Sequence, residues 1–503
     1  MSLRKSIGPA ILITILVAGL YLAAMLYSTG QATLALGFLA VLTLVGFIYT
    51  SPRMLAYRYL FPGVAAAIVF VLFPLIYTIS IGFTNFSSKN LLPFERATRF
   101  LLDETRRAPG GAYAMTLHAD GNGYRVRLQQ DAAVYVTPAL ALLADTPLTV
   151  ALAPLTPEAA APLLPQPLTV KDVIGHQRAL KALTLTLPDK TALRMAGLRQ
   201  FAPVEPVWQR QPDQTLKDTE SGALLKPNFA TGFYQTADGV NVQPGFKVNV
   251  GFANFTRIFT DTAFRGPFVR IFVWTVVFSA ITVFTTLALG TVLAILLNWD
   301  QLRFRGVYRT LLFLPYAVPG FISILVFKGL FNNNFGEINL ILNALFGIKP
   351  AWFSDTTLAK VMILIVNTWL GYPYMMVLTM GLIKAIPGDL YEASALAGAG
   401  PLTNFFRITL PLIIKPLTPL LVASFAFNFN NFVLISLLTG GRPDFLDTTV
   451  PAGTTDLLVS YTYRIAFEDS GQNFGLAAAI STLIFVLVAS LSIINMRLTK
   501  VNK

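Results

Sequence analysis

The sequence predicts an all-α membrane protein of eight transmembrane helices, with a β-rich soluble domain inserted between the third and fourth. Three observations lead there. Of 503 residues, 54% are hydrophobic and only 13% are charged, against roughly 25% charged in average soluble chains. Eight apolar runs approach or exceed the roughly 20 residues that cross a bilayer. Between the third and fourth runs, residues 85–265 give way to short alternating segments of the kind that form half-buried strands. This divides the chain into N-terminal helices (1–84), the insertion (85–265) and a second transmembrane domain (266–503) holding helices four to eight.

The runs are Ile7–Tyr27, Thr33–Tyr49, Tyr59–Ile81, Ile271–Leu297, Leu311–Phe327, Val361–Ile383, Pro416–Thr439 and Phe474–Met496. The first follows Arg4 and Lys5 but is long for a signal-peptide core, and more spans follow it. It reads as a retained anchor. The fifth is short and carries Pro315 and Pro319. Each proline removes a backbone donor, so a kinked or broken helix is predicted there.

Net charge is +13, from 38 basic and 25 acidic residues. The basic residues are scattered and gather at the ends of apolar runs, which fits membrane topology and lipid contact rather than nucleic acid. One side carries Arg4, Lys5, Arg53, Arg58, Arg303, Arg305, Arg309, Lys384, Arg407, Lys415, Arg497, Lys500 and Lys503. The other holds the uncharged turn Ser28–Gln31 and a loop with Asp444, Asp447, Asp456, Glu468 and Asp469. The basic side is predicted to be cytoplasmic, together with both termini, and the insertion to lie opposite.

Within the insertion, Tyr113, Met115 and Leu117 alternate, a turn follows at Asp120-Gly121-Asn122-Gly123, and Tyr124, Val126 and Leu128 alternate again. This predicts a hairpin. Leu183, Leu185 and Leu187 before Pro188-Asp189-Lys190 predict a second, and Ala237-Asp238-Gly239 marks a third turn. Pro154, Pro157, Pro162, Pro165 and Pro167 read as an irregular linker. Gly82-Phe83-Thr84-Asn85-Phe86 and Gly251-Phe252-Ala253-Asn254-Phe255 bracket the insertion as near-repeats. Five residues of a common alphabet recur by chance, and the recurrence is read so.

Several chemistries are excluded. There is no cysteine, hence no disulfide, thiolate nucleophile or Cys-ligated metal. No Gly-Lys pair occurs, hence no phosphate loop of the G-x-x-x-x-G-K-[ST] type. His118 and His176 are read as packed or surface residues, with no metal site. Runs six to eight hold no ionisable residue. That argues against a proton relay and against a charged substrate.

Two polar features remain. Run six carries Asn367, Leu370, Gly371 and Tyr374 at i, i+3, i+4 and i+7, one helix face. Run seven groups Ser424, Phe427, Asn428 and Asn431, beside an apolar stripe of Phe425, Phe429 and Phe432. Amides are costly in hydrocarbon unless paired. They therefore either bond helix to helix or line a wet cavity. Amides, a hydroxyl and rings together suit a neutral sugar.

The other feature joins these two runs: Ile386 to Pro411, on the cytoplasmic side. Glu392 to Ala397 favour helix, Gly398 and Gly400 permit a tight turn, and Pro401 suits the start of a second helix, which Pro411 is expected to close. Glu392-Ala393-Ser394, with Gly398 six positions after Glu392, then Ile408, Leu410 and Pro411, resemble the EAA–G–I–LP loop of ABC importer permeases. The resemblance implies that this ridge inserts into a cleft of an ATPase subunit. Ala397 departs from it, since many members carry an acid there.

The strings Asn367–Tyr374 and Ser424–Val433, Leu314-Pro315-Tyr316-Ala317-Val318-Pro319, Phe335-Gly336-Glu337-Ile338-Asn339 and the large insertion are similar to the larger membrane subunits of maltose/maltodextrin ABC importers. The resemblance spans the chain and is looser in the first two runs and the insertion. It implies an inner-membrane permease subunit, not an enzyme, with five core helices preceded by three more and a periplasmic insertion. It implies sugar contacts at Asn367, Leu370, Gly371, Tyr374, Ser424, Phe427, Asn428, Asn431 and Val433. Implied partners are a smaller second permease, two ATPase subunits carrying the ATP and Mg, a periplasmic maltose-binding protein, and maltose or maltodextrin. No cofactor is implied on this chain. A permease for another neutral oligosaccharide is the nearest alternative; an ion-coupled sugar transporter is further away.

Overall fold

The computed structural model describes residues 3–29, 32–121, 123–142, 148–155, 164–299 and 301–501. Gln31, Asn122, Pro157, Pro162 and Lys503 lie outside the described residues, as do the side chains of Arg4, Lys5 and Lys500. Helices of the membrane part are labelled in chain order: α1 (Leu3–Ser28), α2 (Ala32–Thr50), α3 (Pro52–Gly82), α4 (Thr262–Asn298), α5 (Arg305–Ala317), α6 (Gly320–Leu330), α7 (Glu337–Phe346), α8 (Thr356–Lys384), α9 (Gly388–Leu396), α10 (Pro401–Phe429), α11 (Phe432–Leu438), α12 (Leu458–Tyr463) and α13 (Phe474–Val501).

Six of these are long and apolar enough to cross a membrane: α1, α3, α4, α8, α10 and α13. The pair α5 and α6 adds a seventh if counted as one span, but it is bent by 90°. The bend falls at Val318 and Pro319, both extended. Proline disfavours helical geometry in the residue before it and cannot donate to the preceding turn. α2 is the short one: its 19 residues reach about 28 Å at 1.5 Å per residue.

The seventh predicted run, Pro416–Thr439, is not one helix. It divides into α10 and α11 at Asn430 and Asn431. α10 also starts earlier than predicted, at Pro401, and passes straight through Pro411. Proline 411 therefore does not close the loop. Its missing N–H is absorbed by a π-helical turn at Phe405–Thr409, and a second π-turn, Ile68–Leu72, precedes Pro74 in the same way. Widening the turn removes the bond that proline cannot make.

Packing sorts the helices into centre and rim. In α8, 44% of the apolar window is buried; in α3, none is. Buried side chains of α4, α6, α8 and α11 form one cluster that includes Trp274, Phe278, Ile324, Val366 and Leu434. α4 and α8 cross closely. A Cβ on Gly290 would lie 2.7 Å from the Met376 nitrogen, and one on Gly371 would lie 2.8 Å from Thr286 Cγ2. Only glycine admits that approach.

Among the described residues, all strands lie between Thr105 and Val242, in a nine-stranded and a five-stranded sheet. Tyr113–Asp120 pairs with Gly123–Gln130, Leu183–Thr186 with Ala192–Gly197, and Phe233–Gln235 with Asn241–Val242. These are the three predicted hairpins. Met115, Leu117, Val126 and Leu128 share the buried face. One stretch of the predicted linker is a strand: Ala153–Leu155 pairs with Ala133–Val136. It is an edge strand, where Pro154 is tolerated. His118 is buried between the Pro165 carbonyl and Thr116, and His176 packs on the Tyr124 ring.

The two near-repeats meet. Phe83 packs on Phe252 and Phe255 with ring centroids 5.1 and 5.0 Å apart. Asn254 donates to the carbonyls of Gly82 and Thr84, and Asn85 accepts from the Val248 N–H. This neck rests on α13, where the Gly475 N–H donates to the Phe86 carbonyl. Their recurrence thus has a structural use: each copy supplies an amide that ties down the other strand's backbone.

Candidate functional site: an uncharged cavity at two helix breaks

Both helix breaks face the same space. A cavity of about 730 Å³ is walled by α4, the α5–α6 bend, α8, α10 and α11. All nine residues expected to meet a sugar line it: Asn367, Leu370, Gly371, Tyr374, Ser424, Phe427, Asn428, Asn431 and Val433. Phe427 and Val433 are 72% and 51% exposed. No Asp, Glu, Lys, Arg or His is among the lining residues, so the walls offer hydrogen bonds and apolar contact but no charge.

The amides are also bonded to each other. Asn367 Nδ2 donates to Asn428 Oδ1 at 2.7 Å and to Thr282 Oγ1 at 3.3 Å, and Asn431 Nδ2 donates to Asn367 Oδ1 at 3.3 Å. Helix-to-helix bonding and cavity lining are therefore not alternatives here, since the same side chains do both.

Sequence reasoning missed two parts of the wall. The segment from Pro315 to Phe321 bends into the cavity; its prolines marked a break but not a surface. Thr282 and Thr286 of α4 also line it. Their signal was present: Thr275, Ser279, Thr282 and Thr286 recur on one face of an otherwise apolar run.

The end of α11 away from α10 is held by charge. Past Gly440 and Gly441, Arg464 donates to Asp444 at 2.6 Å and to Asp456 at 2.8 Å, and forms an ion pair with Glu468 at 3.3 Å. Asp456 is fully buried and also accepts from Ser460 and the Gly453 N–H. One cation thus gathers three carboxylates of the acid-rich loop, and Asp447 pairs with Arg270 at 2.8 Å.

At the opposite end lies the ridge. α9 ends in a Schellman motif: the Gly398 N–H bonds to Ala395 O and the Ala399 N–H to Ser394 O. Gly398 takes the left-handed conformation this requires, φ +75°. Ser394 bonds to Asn404 and Tyr391 to Thr409, tying α9 to α10. Glu392 and Ala393 are exposed. So are Leu396, at 92%, Leu402 and Phe406. Leu410 is half-buried and Pro411 exposed.

Comparison with known proteins fits this architecture. Residues 92–251 match the family described as the maltose transport system permease protein MalF P2 domain. Residues 287–500 match the binding-protein-dependent transport system inner membrane component. A maltose/maltodextrin transport system permease protein MalF of Vibrio parahaemolyticus is 52% identical over 489 residues, covering 96% of this chain and 92% of that one. The Escherichia coli K12 MalF is 52% identical over 489 residues, covering 95% and 94%. The chain belongs to the MalF family. As a MalF-type protein it is a permease subunit of an ABC importer, a transport component and not an enzyme. The insertion is the counterpart of the MalF P2 domain.

Proposed function

We propose that this chain forms the sugar pathway of an importer for maltose and maltodextrins in a bacterial inner membrane. The observation that carries this reading is the uncharged cavity at the two helix breaks. It presents amides and hydroxyls for sugar hydroxyls and the rings of Tyr374 and Phe427 for the apolar faces of a pyranose. The nine residues named above are the proposed contacts.

The orientation follows the basic residues: termini and the α9 ridge in the cytoplasm, the insertion (85–265) in the periplasm. The partners are a smaller second permease, two ATPase subunits that carry ATP and Mg, and a periplasmic maltose-binding protein. Glu392, Ala393, Ser394, Gly398, Leu410 and Pro411 belong to the ridge that docks on an ATPase subunit, where exposed Leu396, Leu402 and Phe406 would be covered. α10 runs unbroken from that ridge to the cavity wall, so movement at the ATPase reaches the sugar through one rigid element. Coupling requires that sugar and nucleotide each favour one state of the pair.

Affinity purification of the tagged chain from detergent-solubilised membranes tests this. Co-purifying ATPase activity should rise with maltose-binding protein plus maltose. Stimulation by a different neutral oligosaccharide and not by maltose would replace the substrate. Gradient-driven uptake by the purified chain alone would overturn the class.

A further inference from the structure

Four hydroxyls, Thr275, Ser279, Thr282 and Thr286, are buried along one face of α4. Three of them bond back to the carbonyl one turn earlier: Thr275 to Ile271, Ser279 to Thr275 and Thr286 to Thr282. Back-bonding is the default for a hydroxyl in an apolar helix. Thr282 is the exception. Its Oγ1 accepts from Asn367 Nδ2 at 3.3 Å, and it lines the cavity.

The direction of that bond is forced by a chain of amides anchored at both ends on backbone. At one end the Leu434 N–H, which can only donate, bonds to Asn431 Oδ1 at 3.3 Å. At the other, the Ser424 carbonyl, which can only accept, receives Asn428 Nδ2 at 2.8 Å. Between them each amide must pass the same polarity on: Asn431 Nδ2 to Asn367 Oδ1, then Asn367 Nδ2 to Asn428 Oδ1. The remaining N–H of Asn367 therefore points at Thr282 as a donor, and Thr282 must accept it. Its own proton has no protein acceptor among the described residues.

We propose that Thr282 is a further specificity-determining residue of the sugar site: it fixes the amide of Asn367 and donates its free proton to a sugar hydroxyl in the cavity. This rests on the sugar reading above. Such a donor has no use for an apolar ligand, and a hydroxylated one can accept from it without disturbing the amide chain.

The test uses the complete purified complex with Thr282→Val, Thr282→Ser and, as a back-bonded control, Ser279→Ala. Equilibrium binding of labelled maltose should weaken roughly five- to tenfold for valine and return to within about twofold for serine, the scale of one hydrogen bond. Ser279→Ala should bind as wild type. Across a series of monodeoxymaltoses, the one lacking the hydroxyl that Thr282 reads should show a distinctly smaller loss from wild type to valine, the part that remains reflecting the freed Asn367 amide, while the others keep the full loss. Equal losses for every deoxy sugar would assign Thr282 a packing role only and overturn the proposal, as would unchanged maltose binding by the valine variant. A wild-type complex that binds no maltose but does bind another sugar would overturn the substrate reading instead, and the deoxy series of that sugar would then decide on Thr282.

Discussion

Two helices are interrupted at the cavity, and they are interrupted for different reasons. Between α5 and α6 the cause is local. Pro319 removes a donor and forces Val318 out of the helical region, and the chain turns through 90°. Between α10 and α11 no proline intervenes. The break at Asn430 and Asn431 combines a local cap, Asn431 Oδ1 accepting from the Leu434 N–H, with a bond from Asn431 to Asn367, 64 residues away. The first break is a property of its own sequence. The second also depends on the assembled bundle, so it should respond to changes on other helices while the first should not.

The strongest test strikes the far end of the second break. Arg464→Ala would leave Asp456 buried without its cation, and loss of one partner of a buried ion pair costs about 3–5 kcal/mol. Thermal denaturation of the purified complex should show it as a large drop in Tm, and a small drop would mean that α11 is not anchored there. Next is Asn367→Leu, on a different helix. It strands Asn428 Oδ1, Asn431 Nδ2 and the Thr282 hydroxyl together and should cost roughly 2–4 kcal/mol, read by the same melt. Gly371→Ala forces a methyl against Thr286 Cγ2 and should cost about 1–3 kcal/mol as overpacking. Sugar uptake should fall with it, because the α4–α8 crossing sets the cavity width.

The proline break should behave differently. Pro319→Ala restores a donor and lets α5 and α6 straighten, which should move Tm by under about 1 kcal/mol equivalent. Yet uptake should fall, since the wall from Pro315 to Phe321 would draw back. A stability loss as large as that of Asn367→Leu would erase the distinction between the two breaks. Smallest of all, maltose affinity should stay flat across neutral pH. The cavity wall has no carboxylate, amine or imidazole. A titration near neutrality would mean a charged group reaches the sugar.

The same contrast explains what was legible in the sequence. Pro315 and Pro319 announced their break because the cause lies in the residues themselves. Gly398 likewise marked a turn, and its left-handed φ bears that out. The division of Pro416–Thr439 was signalled by Asn430-Asn431, since Asn431 caps the second helix by accepting from the Leu434 N–H, but these amides read as interhelical bonds or cavity lining and not as a helix start. Pro411 misled for the converse reason. A π-turn four residues earlier lets the helix continue, and nothing in the composition of Phe405–Thr409 distinguishes it from ordinary helix. Gly371 was picked out as part of a polar stripe, but its conformational role depends on Thr286, a residue the stripe does not contain. The nine residues share one cavity because helical periodicity put each set on a face, and the bonds of Asn367 to Asn428 and Asn431 hold those faces against one another.

The neck of the insertion has a topological consequence. Thr84 and Asn249 sit opposite one another as a β-bridge, so the two strands that carry the insertion start and end within about 5 Å of each other. To the helices, some 160 intervening residues are equivalent to a tight turn. The domain is a plug-in module. Its length is therefore set independently of the helices, whose path depends only on the neck that holds the two strands together.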